Sequence, residues 1–311
     1  MDHDRARGEP WPPLRLEEWS DTCTTLHLWT QIVGKIRLAQ SPWMNHCWQV
    51  TLYVTGRGLS TSPIPHGTRT FELEFDFPAD ELVVRTSDGA TGRIPLRPQS
   101  VAAFYRLVVA ALGELGLPVK IQKRPNEVAD PVPFDKDDRP RAYDADAARR
   151  YWRVLVQADR VFKIFRGRFV GKVSPVHYFW GAPDLAVTRF SGRLAPVHPG
   201  GIPNLPDAVT RDAYSHEVSS CGLWPGGGPF PHAAFYSYAY PTPAGFSEAL
   251  VRPAAAFWSA DLGEFLLPYD AVRESKVPDA TLLDFLQSTY DAAADLAGWD
   301  RKALERIGYT S

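Results

Sequence analysis

Three histidines and one glutamate concentrate the chemistry of this chain: His46, His177, His216 and Glu217. Neutral imidazoles with a carboxylate suit Zn or Fe(II) when a coordination position stays open. They lack HExxH or H-x-H spacing, so only the fold could bring them together. His216 and Glu217 are adjacent, and on a regular strand they point to opposite faces unless a β-bulge intervenes. Without a metal, His177 or His216 would act as general base, oriented by Glu217 or Asp184, because imidazole titrates near neutral pH. Lys35, Lys172 or Arg189 would then hold an anionic substrate, and Lys163 and Arg193 could do the same work.

A third chemistry needs no catalyst. Trp29, Trp48, Trp180, Trp224, Phe190, Tyr236 and Tyr238 could wall a cavity for an apolar or aromatic ligand. In AFYSYAYPTP, Tyr236, Tyr238 and Tyr240 share one strand face, as cross-strand packing also requires. His27, Gln31 and Lys35 fall at i, i+4 and i+8 on a helix, so they form one polar stripe. That stripe is either a solvated face or the rim of the same cavity.

Other motifs carry less. WPGGGPF (224–230) lacks the spacing of a phosphate cradle and reads as a lid or a tight turn. Ser219 and Ser220 are outside any GxSxG context. Cys221 would need His216 as partner to serve as a nucleophile, and a buried inert thiol explains it as well. Cys23, Cys47 and Cys221 have neither the number nor the spacing of a disulfide framework or zinc knuckle. No run interleaves basic and aromatic residues, and the formal net charge is -2, so nucleic acid and anionic membranes are not expected partners. No stretch approaches eighteen uninterrupted apolar residues, and the start carries no apolar signal segment. A cytoplasmic protein with a small-molecule ligand is the expectation; oligomeric state is unreadable.

The elements that must position these groups follow from periodicity. Residues 1–15 are charged and proline-rich, which predicts a disordered lead-in. A helix follows, capped by Asp21 or Thr22 and ended by Pro42, with Leu28, Ile32, Val33 and Ile36 at helical spacing. Strands are predicted at 48–55, 58–62, 70–77, 81–86 and 92–96, with FELEFDF alternating and SDG (87–89) as a hairpin turn. Ser100 caps a second helix that stops near Gly116. Residues 123–147 lack periodicity and read as a linker. The pattern then repeats: a helix from 148, strands at 176–180, 185–190, 217–223, 233–240, 254–259 and 264–268, and a closing helix over 281–298.

Ser100, Val101, Phe104 and Leu115 correspond in register to Thr281, Leu282, Phe285 and Leu296, and His46 to His177. We therefore expect an α+β protein of two divergent tandem helix–antiparallel sheet–helix units, 16–122 and 148–305, with curved sheets packed on long helices. The second unit is expanded by loops at 194–213 and 225–232, where binding groups tend to lie.

Several blocks together resemble a known family: LHLWTQIVGKIRLA, LYVTGRGLSTSPIPHG, FELEFDF, VQADRVFK, GKVSPVHYFWGAPDLAVTRFSGR, YSHEVSSCGLWPGGG and LLDFLQSTYDAAADLAGWD. Over about residues 11–304 the chain is similar to the uncharacterised bacterial family filed as domain of unknown function 5996. The resemblance implies no activity, cofactor or catalytic residue. Where an aromatic is expected after the histidine, this chain has Cys47, which argues against a role for that thiol.

The functional expectation is an enzyme acting on a small polar or anionic metabolite through His177, His216 and Glu217, with or without a metal. Lys35, Gln31, His27, Trp180, Trp224, Arg189 and Tyr236 would contact the substrate. The rival is a non-catalytic binding protein with an aromatic cavity.

Overall fold

A computed structural model describes residues 9–227 and 230–306. The first half runs α1 (Ser20–Gln40), β1 (Tyr53–Val54), β2 (Gly58–Ser60), β3 (Ile64–His66), β4 (Arg69–Asp76), β5 (Glu81–Thr86), β6 (Thr91–Pro95) and α2 (Val101–Glu114). The second runs α3 (Ala145–Gly167), β7 (His177–Phe179), β8 (Asp184–Leu194), α4 (Asp207–Ala213), β9 (His216–Trp224) and β10 (Ala234–Tyr240). It continues with β11 (Phe257–Ser259), β12 (Glu264–Pro268), α5 (Tyr269–Arg273), α6 (Pro278–Leu296) and α7 (Arg301–Leu304). The protein is α+β, built on two antiparallel sheets ordered β1-β2-β4-β5-β6, with β3 also on β4, and β11-β12-β10-β9-β8-β7.

Local chemistry accounts for most boundaries. The Ser100 hydroxyl accepts from the Ala103 amide at 3.1 Å and starts α2, as expected of its residue type. The Asp144 carboxylate accepts from the Asp146 and Ala147 amides at 2.8 and 3.2 Å, which starts α3 three residues before 148. Gly89, at φ +89, closes the hairpin between β5 and β6. The polar face of FELEFDF is also covered: Glu74 and Asp76 are buried and paired with Arg85 at 2.7 Å and Arg57 at 2.5 Å.

One hydrophobic core runs through both halves. Trp29 of α1 stacks on Phe104 of α2, ring centroids 4.4 Å apart, and Trp19 lies 4.8 Å from Tyr151 of α3. The sheets meet at their first strands, where Leu52 and Tyr178 exchange backbone hydrogen bonds of 2.9 and 2.8 Å.

Both connecting segments carry buried residues. Within the expected loose lead-in, Trp11 and Leu14 are buried, and Trp11 packs against Phe235 and Tyr269; residues 1–8 lie outside the described residues. Burial of a tryptophan outweighs the polar composition around it. The linker is likewise tied down, with Phe134, Asp137 and Tyr143 buried.

The second sheet has two unlike faces. Leu185, Val187, Leu223, Phe235, Phe265 and Leu267 enter the core beneath α3 and α6. Alternation therefore sends Asp184, Ala186, Thr188 and Phe190 of β8 to the far face. In register with them stand His216, Val218, Ser220 and Gly222 of β9, and Tyr236, Tyr238 and Tyr240 of β10. His177 and Phe179 of β7 pair with Ala186 and Asp184, and Glu264 follows from the position of Leu266 on β12.

Candidate functional site

The far face of the second sheet gathers three carboxyls and three tyrosines. The Tyr236 hydroxyl donates to the Asp184 carboxyl. Gly222 makes room for it, since a Cβ there would stand 2.4 Å from the Tyr236 hydroxyl. Tyr236 and Tyr238 stack with ring centroids 6.1 Å apart and planes 18° off parallel. The Tyr238 and Tyr214 hydroxyls share a hydrogen bond of 2.9 Å. Trp224, Phe230 and Leu262 pack beside Tyr236 and Leu266.

Electrostatics set these carboxyls apart. Burial pushes Asp184 up to about 8; the charges of Glu127 and Glu264 add to that, and the Tyr236 bond opposes it. Burial alone pushes Glu264 up to about 7 and raises Glu127. Desolvation outweighs the hydrogen bond because, among the described residues, no cation pairs with any of the three. Like charges on neighbouring carboxyls repel, and the effect strengthens away from water. Full ionisation of such a group is therefore resisted. Asp184, Glu264, Tyr214 and Tyr238 nevertheless keep partial solvent accessibility, and Glu127, though its carboxyl is turned inward against Gly181, is exposed as a residue.

The expected histidine site lies elsewhere on the same face. Phe190, which His46 touches at 4.6 Å between ring centroids, is six residues along β8 from Asp184, or about 20 Å. The His46 and His216 rings are 5.8 Å apart. His46 sits in a 3-10 turn at φ 58 rather than on a strand. Its Nε2 receives the Lys172 ammonium at 2.6 Å, and its Nδ1 faces the carbonyls of Asp212 and Ala213 at 3.1 and 3.2 Å. Both nitrogens are thus engaged, and neither is free to bind a metal.

His177 is 1 % exposed beside Phe179 and Trp48, and neither ring nitrogen has a partner among the described residues. Burial drives it down to about 3, so it is a neutral core residue at physiological pH. Glu217 turns to the opposite face, where Arg193 binds it at 2.7 Å and also caps the end of α6 through the Ala297 and Gly298 carbonyls. No group of three or more His, Cys, Asp or Glu side chains among the described residues is set to hold a metal ion. The three expected ligands His46, His177 and His216 therefore do not form such a group, and Glu217 lies on the other face from His177 and His216.

The stripe on α1 does meet other elements. His27 Nε2 bonds the Gly181 carbonyl at 2.7 Å, and Gln31 binds both backbone groups of Asn126 at 2.8 Å. The Lys35 ammonium is held by the Asn126 side-chain oxygen and lies 5.7 Å from the Trp180 ring centroid. Burial lowers Lys35 to about 8. Trp180 lies across Gly34, where a Cβ would fall 2.1 Å from its Nε1, and donates to the Val50 carbonyl at 2.7 Å. These residues fasten segments together.

Arg189 is also relocated. It is 1 % exposed on the helix side of the sheet, 3.5 Å from the Phe165 ring centroid and 4.2 Å from that of Tyr290, and the charges of Glu305 and Asp291 act on it there. Of the expected contact residues, only Tyr236 lies at the carboxyl group itself, with Trp224 beside it. Glu127, Glu264, Asn126 and Asn204 were not anticipated. Glu264 was findable, because extending the alternation of EFLLP from Leu266 puts it on the tyrosine face. Glu127 sits in an aperiodic loop and left no such signal.

A groove of about 340 Å³ between α6 and residues 245–252 is lined by Leu250, Leu296, Asp291 and Asp295, but both aspartates are paired with Arg301. It offers little unspent chemistry. Among the described residues, no helix is long and apolar enough to cross a membrane.

Residues 11–306 match the family of unknown function DUF5996, and the chain belongs to that family. Searches of curated proteins and of solved structures gave no match.

Proposed function

We propose that the chain binds a small molecule in a hollow on the far face of the second sheet, with Asp184 as the floor and Tyr214, Tyr236, Tyr238 and Trp224 as walls. The reading rests on one observation: a carboxyl without a cation is hydrogen-bonded to a tyrosine at the base of an aromatic, partly accessible face. Packing alone favours apolar residues there, since a buried carboxyl costs stability. The complementary ligand carries an amine or similar cation together with a flat ring, which would neutralise the carboxyls and stack on the tyrosines. An anionic metabolite fits poorly. Lys35 is held by Asn126, Arg189 faces away, and the carboxyls would repel it.

A second reading makes the same hollow catalytic. Asp184, titrating near 8 and bonded to Tyr236, has the proton affinity of a general acid–base group working near neutrality. Thermal shift at pH 7 with benzylamine, benzyl alcohol and benzoate tests the binding reading. Benzylamine should raise the melting temperature, the other two should not, and Asp184→Asn should remove the effect. Equal stabilisation by benzoate, or an unaltered response in Asp184→Asn, would overturn it.

The two helix–sheet–helix halves are read as an ancient duplication. Their shared sequence of long helix, six-stranded antiparallel sheet and closing helix, and the reciprocal Leu52–Tyr178 pairing where the sheets meet, support that history.

A further inference from the structure

Residues 125–128 reach the far face as a short strap. Gln31, fully buried in α1, holds the strap by both backbone groups of Asn126. Its other end is latched to the loop before α4. The Asn126 side-chain amide donates to the Asn204 carbonyl at 2.8 Å, and the Asn204 amide donates to the Val128 carbonyl at 2.9 Å. Glu127 and Asn204 both adopt left-handed backbone, at φ 54 and 58; asparagine tolerates it, whereas for Glu127 it costs energy and persists only where contacts enforce it. Between these fastenings Glu127 is turned onto bare Gly181, where a Cβ would lie 2.0 Å from its Oε1. Among the described residues no hydrogen bond or cation meets this carboxyl.

The groups around Glu127 are mostly acidic. Asp184 of β8 and Glu264 of β12 act on the same site, with Tyr236 and Tyr238 of β10 and Tyr214 ahead of β9. From α1 come His27, bonded to Gly181, and Lys35, whose ammonium is already bound to Asn126 on the strap's other side. Closing the strap therefore brings a third carboxyl to a place with two others and no counter-charge. Neutral carboxyls tolerate this arrangement; ionised ones oppose it.

We propose that residues 125–128 form a lid over the far face, latched by Gln31 and Asn204, and released when the carboxyls beneath it ionise. The sign follows from the folded state, in which burial raises all three groups. The lid is closed while they hold protons and loosens as pH rises through about 7 to 8. This goes beyond ligand binding and applies to the protein without a ligand, since a bound cation would pair with the ionised carboxyls and remove their repulsion.

Hydrogen exchange on the full chain at about pH 6 and about pH 8.5, with rates divided by the intrinsic exchange rate, tests it. In the parent protein, protection of amides in 125–128 and 202–206 should fall roughly tenfold or more at the higher pH, while β4 and β5 stay protected. Glu127→Gln should abolish that pH dependence, with Glu264→Gln reducing it as the independent check. Asn204→Ala should lower protection at both pH values. Equal protection at the two pH values in the parent, or an unchanged dependence in both glutamine variants, would overturn the proposal.

Discussion

The Tyr236 hydroxyl is hydrogen-bonded to the Asp184 carboxyl across the bare backbone of Gly222, on the one sheet face that α3 and α6 leave uncovered. A carboxyl so placed is held neutral over much of the physiological range, and its ionisation is coupled to stability.

Asp184 gives the first prediction. Its folded value, about 8, lies above the ordinary 3.8, so the folded state binds the proton more tightly than the unfolded one. Stability from this group is full below about pH 4 and is lost as pH rises towards 8. Asp184→Asn should therefore raise the melting temperature relative to the parent at pH 8.5 and bring much less gain at pH 5. Thermal melts at the two pH values decide it; an equal gain at both contradicts the assignment.

Removing the donor acts the other way. Tyr236→Phe leaves the Asp184 carboxyl without its partner, and a loss of about 1–3 kcal/mol is expected for an unsatisfied buried group. The bond favours the ionised form, so the variant's Asp184 should titrate higher than the parent's, as followed by carboxyl carbon NMR. A lower titration point would show that the hydroxyl does not serve the carboxylate.

Gly34 is required by Trp180. Gly34→Ala places a methyl 2.1 Å from the indole nitrogen, so the ring must leave its bond to Val50. Overpacking of this kind costs roughly 1–3 kcal/mol, readable in urea unfolding. Unchanged stability would mean that Trp180 is free to move.

The sequence carried the layers and most helices, because hydrophobic period and caps are local signals: Ser100, the FELEFDF alternation and the tyrosine stripe all appear where they were expected. Other features depended on contacts between distant segments. Trp11 is polar in its surroundings by composition yet docks on Phe235, and Arg189 looks like a substrate clamp yet stacks inside aromatic rings. His177, His46 and Glu217 drew attention by residue type, but type does not reveal a neighbour. Lys172, Phe179 and Arg193 decided their roles. Glu127 reached the site only through a strap fixed by Gln31, an arrangement no spacing encodes.

Metal removal should leave the fold intact. Both His46 nitrogens are engaged and His177 is enclosed by rings, so overnight EDTA should not change the melting temperature. A marked drop, restored by zinc, would contradict this.

The most direct measurement is calorimetric titration of benzylamine at pH 7 in two buffers of different ionisation enthalpy. A cation seated on a protonated Asp184 displaces its proton to solvent, leaving carboxylate paired with ammonium. The account predicts release of about one proton per ligand, lost in Asp184→Asn. Binding with no buffer dependence, or identical heats from the variant, would contradict it.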